Sequence, residues 1–411
     1  MELLNAAAIL ITLAAIFGFI NTRFIKLPTT IGIMLIALLV SLLMIIAGKF
    51  GFADINTHAS RLLKDINFHE TLMQGMLSFL LFAGALHVNL NDLAKQKWLI
   101  LILATVGVVS STFIIGSLSW LILKALGLTI PFIYALLFGA LISPTDPIAV
   151  MGILKKAGVS KSLETKIAGE SLFNDGVGVV VFIVLLGIAT SGQTPSVSTV
   201  GMLFVQEALG GMVFGLIIGS IAFWMLRTVN NYQVEVLITL ALVMGGYALA
   251  IRLHISGPIA MVVAGLLIGN HGRSLAMSDA TREHLDTFWE LLDEIFNAVL
   301  FVLIGLEILI LTFKEEYLLA ALAIIPVVLL SRLASVGIPI SIMRYFREFS
   351  PNVVEIMTWG GLRGGISIAL ALSLPLSVER DIIVAITYAV VVFSIFIQGL
   401  TIGKLAEGNQ G

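Results

Sequence analysis

The sequence predicts an all-α polytopic membrane protein of about thirteen transmembrane helices. Three observations carry this. The 411 residues are 59% hydrophobic and 12% charged, with a mean hydropathy of +1.08. Apolar runs long enough to cross a ~30 Å hydrocarbon core recur from one end of the chain to the other. The few ionisable residues inside those runs are clustered, and prolines and glycines interrupt two of the runs. The near-neutral charge gives no reason to expect a nucleic-acid partner. The absence of cysteine rules out disulfides, thiolate chemistry and cysteine-ligated metal. Six histidines lie scattered without zinc-like spacing.

In order, the expected spans are 3–22, 28–47, 70–88, 98–122, 131–154, 164–188, 199–226, 233–251, 257–269, 284–313, 317–343, 352–376 and 381–403. The first lacks a basic start and is read as a retained helix, not a signal peptide. An odd count puts the termini on opposite sides. With the N-terminus outside, the inner loops hold fourteen of the 23 Lys and Arg; the outer loops, which include Arg61 and Lys64, hold seven. Arg332 and Arg363 fall inside spans. The positive-inside rule therefore favours an outside N-terminus and a cytoplasmic C-terminus. Thirteen also divides into six, one and six. That is the arithmetic of two inverted six-helix repeats, a common plan among secondary transporters.

The fifth span reads LLFGALISPTDPIAVMG. Pro144 and Pro147 each remove a backbone donor, and together they should unwind the helix locally. Exposed backbone at membrane depth is tolerated where it lines a cavity or is buried in protein. The freed carbonyls, the Thr145 hydroxyl and the Asp146 carboxylate are hard oxygen donors suited to a small cation. A plain proline kink with Asp146 capping the second half-helix is the simpler reading, and the two are compatible.

The sixth span carries GESLFNDG, residues 169–176. Ser171 and Asp175 fall one turn apart on one stripe, continued by Gly178; Glu170 and Asn174 form the adjacent stripe. Asp175 lies roughly 16 Å from the inner end of its span, near the midplane. Interhelical salt bridging alone would explain Glu170 better than Asp175. The eleventh span places Arg332 at mid-depth. In the twelfth, Gly360, Gly361, Gly364 and Gly365 surround Arg363 and weaken the helix. Two interrupted helices at matching positions of inverted repeats point to a transporter's site. A purely structural role for Arg363 stays open.

Asp146, Glu170 and Asp175 supply three negative charges at mid-depth, and Arg332 and Arg363 supply two positive ones. One buried carboxylate is left over, and it must take up a proton or a cation. Asp293, Glu294, Glu307 and Glu207 are expected near span ends or at interfaces, in structural roles. The count leads to electroneutral exchange of one monovalent cation for one proton.

SPTDPIAV, GESLFNDG, SRLASV and GGLRGGISIALAL occur in this order at suitable spacing. Together they resemble the cation–proton antiporter 1 family, the bacterial sodium–proton antiporters related to animal sodium–proton exchangers. The resemblance covers essentially the whole chain, which ends soon after the thirteenth span, where the animal exchangers carry a long regulatory tail. It implies a homodimer in a lipid bilayer, in a bacterial inner membrane, active in pH homeostasis. It implies a moving core of spans 4–6 and 11–13 (about 98–188 and 317–404), a dimerisation domain (about 1–97 and 233–313) and a linker helix (about 199–226). The core would work as an elevator, with the broken spans 5 and 12 crossing near the ion. No cofactor is implied beyond the transported sodium or lithium ion and proton.

The resemblance also implies residue roles. Asp175 is the main ion- and proton-binding carboxylate, and sodium would bind at Asp175, Ser171 and Thr145. Asn174 stands where electrogenic relatives carry a second aspartate. Asp146 steadies the crossing and polarises the site. Glu170 pairs with Arg332, and Arg363 holds the break in span 12. One departure stands out: Ala83 occupies a position that is often acidic in the family, and His87 one turn on reads as interfacial. A potassium–proton antiporter is the nearest alternative. A passive cation channel would need a continuous polar pore, for which the sequence offers one cluster only. A membrane enzyme would need metal-ligand spacing or an activated nucleophile, and neither is evident.

Overall fold

A computed structural model of the chain describes residues 3–50, 68–191, 197–311, 314–350 and 352–407. Arg61 and Lys64, counted above in the outer loops, lie outside the described residues. Among those described there is no strand. α1 (Leu3–Ile20) and α2 (Thr29–Lys49) open the chain. α3 (Leu77–Leu86) follows a π-helical stretch at Thr71–Met76. α4 (Leu90–Ile102) and α5 (Val108–Ala125) form one rod through a π turn at Leu103–Gly107. α6 (Phe132–Ile142) and α7 (Ile148–Lys156) flank a break at the two prolines. The long helices α8 (Lys161–Ser191), α9 (Val197–Thr228) and α10 (Tyr232–Arg252) come next.

α11 (Gly257–Leu267), α12 (Asp279–Glu307) and α13 (Glu315–Met343) continue the bundle. α14 (Val353–Trp359) and α15 (Gly365–Leu372) flank a second break at the glycines. α16 (Val378–Phe393) and α17 (Gly399–Glu407) are joined by a π turn at Ser394–Gln398. Polar caps mark helix starts between spans. The Asn89, Asn231, Ser256 and Ser278 side chains accept backbone N–H groups at the starts of α4, α10, α11 and α12.

Among the described residues, eight continuous helices are long and apolar enough to cross a membrane. The expected fifth and twelfth spans are not among them, because each is cut into short halves, nor are the third and ninth, where α3 and α11 run for only 10 and 11 residues. The expected tenth fails for a different reason: Glu290, Asp293, Glu294 and Glu307 all fall in the C-terminal two-thirds of α12. A helix so charged cannot face lipid all round.

The helices pack around two apolar clusters. The larger takes in α1, α2, α5, α6, parts of α8 and α13, and the segments from α14 to α17. The second joins α3, α10 and α11 to the first half of α12 through Leu285 and Trp289. α12 is shared: its second half, Val299 to Leu306, belongs to the larger cluster. Close approach depends on small residues, as in other membrane bundles. Gly139 of α6 sits against the Thr112 carbonyl of α5, and an added Cβ would also lie 3.0 Å from the Gly116 nitrogen.

Gly139→Val should therefore force α5 and α6 apart. Overpacking of this kind costs about 1–3 kcal/mol, so the variant should melt several degrees lower in detergent. Gly245 has open space where a Cβ would go, and Gly245→Ala should melt no lower than the native protein. A native-like melting profile for Gly139→Val would contradict the packing.

Candidate functional site

The site begins with the break between α6 and α7. Pro144 and Pro147 cannot donate to the helix ladder, and residues 143–147 leave helical geometry. Backbone groups freed at this depth need partners, and α8 supplies them. Ser171 Oγ donates to the Thr145 carbonyl. The Thr145 N–H donates to Asn174 Oδ1 at 3.3 Å, and Asn174 Nδ2 donates to Thr145 Oγ1 at 2.9 Å. Thr145, Ser171 and Asn174 are all buried. Pro144 lies against Gly178 of α8, where a side chain would collide with the proline ring. The two adjacent stripes expected on this helix thus act together: Ser171 and Asn174 clasp Thr145, and Gly178 admits Pro144.

The second break comes from α14 and α15. The Asp146 N–H donates to the Leu362 carbonyl at 2.8 Å, so the two unwound segments touch directly. Arg363 Nη1 donates to the Ser143 and Pro144 carbonyls, the latter at 2.8 Å. A buried cation thereby meets the carbonyl end of α6, the negative end of its dipole. Reciprocally, the Asp146 carboxylate rests against Gly364, next to the N-terminus of α15, and any side chain there would strike it. An anion at a helix N-terminus is favourable. The Arg363 N–H is held by Ser394 Oγ at 3.0 Å, and Ser394 in turn donates to Gln398 Oε1 at 2.7 Å. Both belong to the π turn before α17, a distortion often found at functional positions.

Glu170 and Arg332 stand beside this crossing. Arg332 donates to both carboxylate oxygens of Glu170, Nη2 to Oε2 at 2.8 Å. The pair is nearly sealed, with Glu170 1% and Arg332 7% exposed. Arg332 Nε and Nη2 also donate to the Met357 carbonyl at 3.3 and 3.2 Å. Gly361 makes room for the guanidinium: a Cβ there would lie 2.6 Å from Arg332 Nε. Glu170 is thus bonded to Arg332, while Arg363 is engaged with carbonyls.

Asp175 differs from all of these. It lies one turn beyond Ser171, is only partly buried, and makes no hydrogen bond or ion pair among the described residues. Asp146 is close enough to Asp175 for their charges to interact, and it too is partly buried. The arrangement is a carboxylate without a hydrogen-bond partner among the described residues, one turn from a set of mutually bonded neutral groups. Such an arrangement can hold a small monovalent cation or pass a proton.

Ala83 on α3 is buried and offers no oxygen from its side chain; its carbonyl is hydrogen-bonded to His87 Nδ1 at 2.8 Å. Glu307 closes α12 and is buried there, near a helix end as expected. Asp293 lies at the midpoint of the 29-residue α12 and interacts electrostatically with Asp146. Ser394, Gln398 and the Leu362 carbonyl also went unforeseen, since a backbone oxygen and a π turn leave no motif.

A sequence model of the family described as "Sodium/hydrogen exchanger, transmembrane" matches residues 9–408. The chain is 54% identical over 409 residues to the Na(+)/H(+) antiporter NhaP of Pseudomonas aeruginosa, covering 98% of this chain and 96% of that protein. It is 34% identical over 409 residues to the Na(+)/H(+) antiporter NhaH of Halobacillus aidingensis, with the same coverage. The fold matches that of the sodium proton antiporter MjNhaP1 from Methanocaldococcus jannaschii, with a TM-score of 0.76 over 100% of both chains at 20% identity.

Breaking a buried ion pair by removing one partner costs about 3–5 kcal/mol. Glu170→Gln and Arg332→Gln should each lower the stability of the detergent-solubilised protein by that order. The double variant should lose clearly less than the two losses combined. A double-mutant cycle of thermal or denaturant unfolding measures the difference, and strict additivity would deny the contact an energetic role.

Proposed function

The chain belongs to the transmembrane sodium/hydrogen exchanger family, and from that premise we propose that it is a secondary antiporter exchanging sodium for protons at Asp175. The observation that carries this reading is the partly exposed, unpaired Asp175 carboxylate beside the Thr145–Ser171–Asn174 clasp. Sodium binds at Asp175 with the neutral oxygens of Ser171 and Thr145, and lithium is a smaller competitor for the same oxygens. Proton and cation compete for one carboxylate, so each leaves when the other arrives. Asp146 and Arg363 keep the crossing in register without binding the ion at full charge. Glu170 and Arg332 cancel one another and remain a structural pair.

Stoichiometry follows from the charges that would move. In the proposed core, about 98–188 and 317–404, the mid-depth charges are Asp146, Glu170, Asp175, Arg332 and Arg363. One negative charge is left, and one sodium ion or one proton neutralises it. Loaded core crosses the membrane uncharged in either direction, which makes one-for-one exchange electroneutral. The core slides as an elevator against a dimerisation domain, about 1–97 and 233–313, joined by the linker helix, about 199–226. The protein works as a homodimer in a bacterial inner membrane, N-terminus outside and C-terminus in the cytoplasm.

The test is exchange by purified protein in sealed vesicles carrying a pH dye. A sodium pulse should alkalinise acid-loaded vesicles at the same rate under several clamped voltages. The apparent sodium affinity should weaken as pH falls, because protons occupy the site, and level off at high pH. Asp175→Asn should abolish exchange while leaving the protein folded. Robust exchange by that variant, a net current, or a pH-independent sodium affinity would each refute the proposal. The same vesicles with lithium and potassium rank the cations.

A further inference from the structure

α12 carries a second carboxylate to the crossing. Leu300 of this helix packs on Gly365, the first residue of α15, with its side chain 2.5 Å from where a Cβ would sit. Gly364, its neighbour, is the residue against which the Asp146 carboxylate lies. Seven residues make nearly two helical turns, so Asp293 shares the stripe of Leu300 to within about 20°, ~10 Å nearer the N-terminal end of α12. Asn297 lies one turn beyond Asp293 on the same face of α12. The charges of Asp293 and Asp146 are close enough to repel.

Two features set this pair apart from a structural polar patch. Asn297 is 3% exposed, and its Oδ1 has no hydrogen-bond partner among the described residues. Leaving a buried amide oxygen unmatched is costly. Asp293 is only partly buried. A carboxylate facing lipid is unfavourable, and the stripe it shares with Leu300 turns Asp293 toward the crossing, where its charge meets that of Asp146. Asp146 and Asp175 are partly open in the same way. An open carboxylate and an unmatched amide oxygen one turn apart make a ligand pair for a partly hydrated monovalent cation, with the amide oxygen acting as unwound carbonyls do in transporter sites.

We propose that Asp293 and Asn297 form a second monovalent-cation site, which sodium occupies on its way to Asp175 from the N-terminal end of α12. The proposal rests on the reading of Asp175 as the transport site. Carboxylates lining a low-dielectric cleft raise the local cation concentration, so the site lowers the sodium concentration needed to fill Asp175. α12 lies outside the proposed moving core. Asp293 therefore adds no charge to what crosses the membrane, and the exchange stays electroneutral.

Sealed vesicles containing native protein, Asp293→Asn, Asp293→Glu, Asn297→Ala and Asp175→Asn would be compared over a range of sodium concentrations. Asp293→Asn should keep its maximal rate within about twofold while its half-saturating sodium concentration rises on the order of tenfold, the loss of one charged ligand. Asp293→Glu should restore most of that affinity. Asn297→Ala should weaken affinity less, and the double variant should be no worse than Asp293→Asn alone, since both remove one site. All should remain independent of voltage. In detergent, stabilisation against heating by sodium should shift to higher sodium in Asp293→Asn, a readout that does not need transport. An unchanged half-saturation in Asp293→Asn overturns the second site. So does loss of the maximal rate in folded Asp293→Asn and Asp293→Glu, which would make Asp293 part of the transport site itself. If Asp175→Asn is silent while Asp293→Asn is native-like, only the second site fails. If Asp175→Asn still exchanges sodium, the transport-site reading fails and takes the second site with it.

Discussion

Two helix breaks satisfy one another at mid-depth, and the rest of the site is arranged around that exchange. Prolines free the carbonyls of residues 143 and 144, and the guanidinium of Arg363 takes them. Glycines free the carbonyl of Leu362, and the Asp146 N–H takes it. Each break would be intolerable alone in a medium without water, because unpaired backbone groups there cost several kcal/mol apiece. Together they form a joint that only small residues allow. Gly178 admits Pro144, Gly364 admits Asp146 and Gly361 admits Arg332. The glycines weaken the helix and also clear the volume that the charged groups occupy.

The joint also sorts the charges into roles. Arg332 is bonded to Glu170 and to a carbonyl, and Arg363 to two carbonyls, so both cations are fully engaged. Asp146 is positioned at a helix N-terminus by its own backbone. Asp175 makes no hydrogen bond or ion pair among the described residues, and it stands one turn from Ser171 of the clasp. A binding site needs this combination: a frame that does not relax when the ligand leaves, and one group whose charge the ligand must neutralise. α12 contributes a fourth acidic residue from outside that frame.

Much of the architecture was legible because its causes are local. Apolar run length gives helical spans, and paired prolines or clustered glycines give breaks, whatever the neighbours do. Asp175 and Ser171 could be grouped from helical spacing, whereas Thr145 joined them only through the family resemblance. The clasp between Asn174 and Thr145 could not, because Asn174 was read as a neutral substitute for a charge and turns out to hold the unwound backbone. Asp293 was read only as lying near a span end or at an interface; its electrostatic contact with Asp146 depends on how α12 packs, which no local pattern shows.

By itself the sequence determined that this chain is a helical membrane protein with two interrupted spans and more buried acid than base, since hydropathy, proline geometry and net charge do not depend on how helices meet. The tertiary structure decided which charge answers which. Arg332 and Arg363 have the same charge and comparable depth, and Glu170 lies 162 positions from the first of them. No local rule chooses between two arginines so far along the chain. The choice is made where Gly361 opens space for Arg332 beside Glu170, while the carbonyls of the first break engage Arg363. The same packing leaves Asp175 without an ion pair among the described residues, and the charge that reaches it is the like charge of Asp146.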